Sequence, residues 1–310
     1  MNLQKWLKGF SFASMYGMFL ILVMGALVTK TESGRGCGDD WPLCNGKFVP
    51  AYTIDSIIEY SHRFVVGVVG IILLIAFILV WMYSNRKDAK VFVSGAMFFT
   101  VLQALLGALA VIWPQSSSVL ALHFGFSLMA FAFTLLLSLV YTRFGSGLSG
   151  ATLSLTAGVR WGVFLITLYS YAVVYLGAFV RHTESSGGCI GWPLCNGSFI
   201  PELVGPTRVV FAHRLGAALL FVLLAWLFMA IRSQMRAEEN MYQAAKWALI
   251  LVITQIFSGA FVTLSMGYDS YLVASLLHAV LVSCLFGILC YLSVLAFQAK
   301  KGDRQAYGAR

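Results

Sequence analysis

Four of the chain's five histidines, His62, His123, His213 and His278, fall inside long apolar runs. An ionisable ring is costly in lipid, so one found there usually faces a bundle interior or a partner. A lone membrane histidine is commonly a hydrogen-bonded packing residue. These four keep a repeat spacing, because His213 follows His62 by 151 residues and His278 follows His123 by 155. Two neutral imidazoles from facing helices can supply both axial bonds to a haem iron. Zinc asks for three or four ligands from His, Cys or carboxylate, and the apolar runs of the second half offer no third. The residues therefore point to two bis-histidine haem sites, His62 with His123 and His213 with His278.

The neighbours of these histidines differ between the halves. The first reads Glu59-Tyr60-Ser61-His62-Arg63 and the second Val210-Phe211-Ala212-His213-Arg214. Residues at i and i+3 share a helix face, so Glu59 lies beside His62. It is a candidate general base, or a group that stabilises positive charge developing on a bound substrate. It is also placed to pair with Arg63 at i+4. The missing carboxylate in the second half favours chemistry in the first and a retained redox haem in the second. Arg63 and Arg214 can pair bidentately with haem propionates or anchor to lipid headgroups.

Cys37 and Cys44 lie in one polar connection, and Cys189 and Cys195 in another. An outward compartment permits disulfides, and the expected pairs are Cys37–Cys44 and Cys189–Cys195, each closing a short loop over its bundle. Spacing alone does not establish pairing. A redox role for the first pair is the alternative to stapling. No CxxCH motif is present, so haem would be held without covalent attachment. Cys284 and Cys290 fall inside an apolar run and read as inert packing residues. His182 reads as a solvated loop residue without an obvious partner.

Holding imidazoles in this way requires helices that cross a membrane. Hydrophobic residues make up 60% of the chain, charged residues only 11%, and mean hydropathy is +0.85. Soluble domains carry about 25% charged residues. The net charge of +9 does not indicate nucleic acid, because the basic residues form short groups between apolar runs. Eight segments meet the requirement of about 20 residues per span, at roughly 10–29, 56–83, 91–112, 119–142, 160–180, 208–231, 246–266 and 270–297. The second and eighth are the longest. The first, preceded by Lys5 and Lys8, is too long for a signal-peptide core and reads as a spanning helix.

Of the 21 Lys and Arg residues, seven (Lys30, Arg35, Lys47, Arg63, Arg181, Arg208 and Arg214) lie on the side of the cysteine loops. The other 14 lie opposite, which puts both termini in the cytoplasm and the cysteine loops outside. GALVTKTESGRGCGDDWPLCNGKFVP from Gly25 recurs as GAFVRHTESSGGCIGWPLCNGSFIP from Gly177. Gln103 and Gln255 are likewise 152 residues apart. Four helices per half is an even number, so the repeat is parallel, about an axis along the membrane normal. The expected fold is all-α and integral to the membrane: two pseudo-symmetric four-helix bundles at 1–143 and 160–298. A linker at 144–159 joins them and a cytoplasmic tail at 299–310 follows. Gly25-Ala26, Gly107-Ala108, Gly177-Ala178 and Gly259-Ala260 recur near the outer ends of the odd helices. Such small residues serve helix packing or admit a flat ligand.

The motifs GALVTKTESGRGCG, WPLCNG, EYSHR, QALLGALAV, ALHFG, the second WPLCNG, AHR and SLLHA resemble the haem A synthase family, especially its Bacillus type, over nearly the whole chain. The resemblance implies an oxidoreductase of cytochrome oxidase assembly that oxidises a ring methyl of haem O to the formyl of haem A. It implies Glu59, His62 and His123 at the substrate-haem site, and His213 and His278 as ligands of a haem b cofactor. It matches both cysteine pairs to the outer-loop cysteines of that type. A bacterial cell membrane location follows, with haem O synthase as the partner that supplies substrate. The rival classes are a dihaem b-type electron-transfer protein, resembling a quinone oxidoreductase, and a haem transporter or chaperone. Both would bind haem without changing it. The redox partner and the source of the oxygen atom are not legible in the sequence.

Overall fold

The computed structural model describes residues 3–113, 116–146, 154–234 and 239–301. Eight helices dominate it: α1 Leu3–Lys30, α2 Ile54–Tyr83, α3 Lys87–Ile112, α4 Ser117–Val140, α5 Ala157–His182, α6 Gly205–Gln234, α7 Glu239–Leu264 and α8 Ser270–Gln298. All eight are long and apolar enough to span a bilayer, as the hydropathy pattern requires. The protein is therefore a multi-pass membrane protein.

Local chemistry sets several boundaries. Thr53 caps α2 by accepting from the Ser56 amide, and Ser116 caps α4 by accepting from Val119, each satisfying one orphan N–H of a first turn. Pro206 sits in the first turn of α6, where its missing N–H costs nothing. Gly267, at φ +85°, turns the chain from α7 into α8. The first helix begins two turns earlier than hydropathy suggests, because Lys5 and Lys8 are tolerated where a helix leaves the membrane. Lys8 lies over the Phe12 ring at 5.9 Å. α2 and α6 are the longest helices at 30 residues each, with α8 at 29. The expectation had placed α8, not α6, beside α2.

Within the first half, α1 packs on α2 and α4, and α3 on α2 and α4; α5 to α8 repeat the arrangement. The halves meet where α4 packs on α5 and α8, and α1 on α8. α4 and α8 are accordingly the most buried helices. The close-packed core, including Leu73, Leu137, Leu224, Leu227, Leu289 and Leu292, gathers toward the helix ends remote from the cysteine loops. The loop-side ends enclose a cavity instead.

The all-α fold carries a small ladder outside its helices. Ser154–Leu155 (β1) and Lys300–Lys301 (β2) form a two-residue parallel ladder that ties the segment between the halves to the end of α8. Arg86 braces the same side, donating to Val140 O at 2.8 Å and Gly145 O at 3.0 Å while pairing with Asp88. Positions 147–153 of the expected linker and 302–310 of the expected tail lie outside the described residues.

Candidate functional site

The two cysteine loops have one design. Disulfides join Cys37 to Cys44 and Cys189 to Cys195. Cys44 and Lys47 form a short backbone bridge, and so do Cys195 and Ser198. Asn45 and Asn196 adopt left-handed backbone, a conformation Asn tolerates better than other side-chain-bearing residues. Each loop is also fastened to the helix that follows. Ser56 Oγ donates to Gly36 O at 2.5 Å and Thr207 Oγ1 to Gly188 O at 2.8 Å. Gly36 and Gly188 lie so close to the backbones of α2 and α6 that a Cβ at either would collide with main-chain atoms. Trp41, Pro42, Trp192 and Pro193 line the cavity below, so the loops cover its mouth.

All four membrane histidines open on this cavity. Each imidazole rests against the glycine of a Gly-Ala pair on the preceding odd helix. A Cβ added at Gly25 would stand 3.4 Å from His62 Cε1, at Gly107 3.3 Å from His123 Cε1, at Gly177 2.7 Å from His213 Cε1 and at Gly259 3.2 Å from His278 Cε1. The glycines therefore let the Cε1 side of each ring approach a neighbouring backbone. That decides between the two uses the sequence left open, since packing here serves the histidines. His62 on α2 and His123 on α4 stand on diagonally placed helices of the first half, as His213 on α6 and His278 on α8 do in the second.

Nδ1 of His62, His123 and His213 is buried with no hydrogen-bond partner. Native proteins rarely leave a buried polar atom so. The His123 and His213 rings also lie beside the backbone of Gln103 and Val173; a ring steadied by its neighbours can present a nitrogen to a metal. No three His, Cys, Asp or Glu side chains converge among the described residues, which leaves pairs of imidazoles as the donor sets. Paired imidazoles suit an iron porphyrin, whose macrocycle fills the other four positions. The cavity measures about 1430 Å³, more than the roughly 300–1,000 Å³ that holds one drug-sized ligand.

Glu59 and the two arginines occupy places that spacing alone did not disclose. Glu59 is buried; its Oε1 pairs with Arg63 Nη2 at 2.5 Å and its Oε2 accepts the Cys37 amide at 2.8 Å. Arg63 Nη1 also donates to Asp40 O at 2.8 Å and Leu43 O at 2.9 Å. The ion pair open to Glu59 in the sequence thus forms, and it carries the first cysteine loop with it. In the second half Val210 packs against the disulfide. With no carboxylate there, Arg214 gives both terminal nitrogens to the loop, donating to Cys189 O, Gly191 O and Leu194 O at 3.1, 3.0 and 3.2 Å. Both guanidiniums clamp loops and line the cavity.

The surroundings of the membrane histidines differ as well. Ser258 Oγ lies 2.8 Å from His278 Nδ1, and Gln255 Nε2 donates to His278 O at 3.1 Å. The first-half counterpart of Ser258 is Leu106, and Gln103 there bonds Ser127, one turn beyond His123. The repeat exposes Gln255 by its spacing; Ser258 is not repeated as a serine and left no signal. One expectation is corrected: His182 is the last residue of α5, half-buried on the cavity wall, with its carbonyl accepting from Ser117 Oγ at 2.7 Å.

Eight spans, with four histidines on one large, mostly apolar cavity, define a multi-pass membrane protein with an internal ligand site. The sequence profile of the family described as cytochrome oxidase assembly protein matches residues 8–57 and 51–290. The heme A synthase of Geobacillus kaustophilus (strain HTA426) is 42% identical over 306 residues, 98% of this chain and 96% of the relative. That of Symbiobacterium thermophilum is 42% identical over 301 residues, 94% and 95% of the two chains. That of Bacillus licheniformis is 39% identical over 308 residues, 96% and 99%. The chain belongs to this family of cytochrome oxidase assembly proteins.

Proposed function

We propose that the protein is a haem A synthase, an oxidoreductase that converts haem O to haem A by oxidising a ring methyl to a formyl group. The observation that supports this is four repeat-related histidines lining one cavity, with a buried carboxylate one turn from only one of them. The first half, 1–143, takes haem O between His62 and His123. The second, 160–298, keeps haem b between His213 and His278. The halves are parallel repeats, both termini are cytoplasmic, and the cysteine loops face outward from a bacterial cell membrane. Haem O synthase is the proposed supplier of substrate.

Bound haem b would supply one-electron redox chemistry in the second half. The chain's own residues do the rest. His62 and His123 orient the substrate, and their glycine seats keep the rings from turning. The loops exclude bulk water from the reacting edge. Glu59, one turn before His62, presents its carboxyl group to the cavity. A carboxylate has about four acceptor positions. Arg63 and the Cys37 amide occupy two, leaving capacity to accept a proton or stabilise developing positive charge.

The test is the haem composition of purified wild type and Glu59→Gln, after coexpression with a source of haem O. The variant is expected to keep haem B and to lose haem A production by about 100-fold or more. Equal haem A yields would remove Glu59 from the mechanism. Haem B alone in the wild type would favour the dihaem electron carrier, and unchanged haem O would favour a transporter.

A further inference from the structure

The outer seam between the halves carries cations that neither histidine pair explains. Lys30 ends α1, and Arg181 and His182 end α5; all three line the shared cavity. The seam is stitched across the halves. Arg181 Nη2 donates to Thr29 O at 2.7 Å and pairs with Glu32 at 3.2 Å. Lys30 Nζ lies 5.5 Å from the Tyr271 ring centroid of α8.

The charges there are unbalanced. The side chain of Glu32 is 80% exposed, so water weakens its hold on Arg181. Among the described residues Lys30 has no carboxylate partner, and Arg181 Nε is buried with no hydrogen-bond acceptor. A half-buried ammonium beside an unsatisfied guanidinium N–H, at the mouth of an apolar cavity, is costly unless an anion completes it. Arg63 and Arg214 are already engaged by loop carbonyls.

We propose that Lys30 and Arg181 form a carboxylate-binding site across the seam, and that it takes a propionate of the haem held by His213 and His278. The proposal rests on the bis-histidine reading of the second half. Tyr271, the ring partner of Lys30, lies two turns before His278 on the same helix. A haem set between His213 and His278 turns its polar edge to the outer mouth, where these cations are, and its apolar ring to the interior. Lys30 belongs to the first half, so the second-half haem would be secured by both.

The experiment is an equilibrium titration of full-length haem-depleted protein with haem B and with haem B dimethyl ester. His62→Ala is present throughout, so that only the second half gives a bis-imidazole spectrum. Lys30→Met is expected to weaken haem B by about tenfold, the worth of one charge-assisted hydrogen bond. It should leave the ester unchanged, and Lys30→Arg should restore most of the loss. Equal weakening of acid and ester would overturn the proposal, since Lys30 would then act by packing on Tyr271. So would no weakening of either. If haem B gives no bis-imidazole spectrum even with Lys30 intact, the histidine reading of the second half falls, and the proposal with it.

Discussion

Gly177→Ala puts a methyl group 2.7 Å from His213 Cε1 and 3.3 Å from both ring nitrogens. Ordinary contact starts at 3.4 Å, so the imidazole must retreat by some 0.7 Å, the difference between the two distances. Functional constellations tolerate about 0.5 Å, and metal–ligand bonds only about 0.2 Å. Overpacking of this kind costs about 1–3 kcal/mol, and here it falls on one axial ligand. The expected result is loss of His213 ligation, with haem B content down about tenfold and the residual haem high-spin instead of low-spin. The four glycines form a graded series. Gly259→Ala and Gly107→Ala, at 3.2 and 3.3 Å, should be milder, and Gly25→Ala, at 3.4 Å, close to wild type. The assay is the visible spectrum and extracted haem content of each purified variant. Wild-type haem B and a low-spin spectrum in Gly177→Ala would refute the seating argument, as would greater damage from Gly25→Ala.

Two further substitutions test the supports around the histidines. Arg214→Met removes the donor to three loop carbonyls, and should speed chymotryptic cleavage at Trp192 or Phe199 about tenfold. Arg214→Lys should not rescue it, because an ammonium cannot reproduce the planar fork; wild-type cleavage rates in both would remove the clamp. Ser258→Ala deletes the 2.8 Å contact to His278 Nδ1, and should raise the dissociation rate of second-half haem B by about 10-fold or more, measured by transfer to a haem-scavenging globin. An unchanged rate would show that the serine does not orient the ligand.

The eight spans, the duplicated loops and the four membrane histidines were legible because each leaves a one-dimensional mark. A bilayer demands about 20 apolar residues per helix, and duplication repeats the loop motif from Gly25 at Gly177. Even the asymmetry at Glu59 and Val210 could be read by aligning one half with the other. What spacing could not supply was the rotation of each helix about its axis and the contacts between chain-distant ends. Hydropathy is high on every face of these helices, so it did not show that the four glycines face the imidazoles. Nor did it show that Arg63 and Arg214 turn to loop carbonyls. The seam lay further out of reach, since Arg181 and Thr29 are 152 residues apart and meet only because α1, α4, α5 and α8 pack together. Sequence determined which groups were available; tertiary packing decided which of them were still uncommitted inside the cavity, because only packing assigns a partner to each buried donor and acceptor.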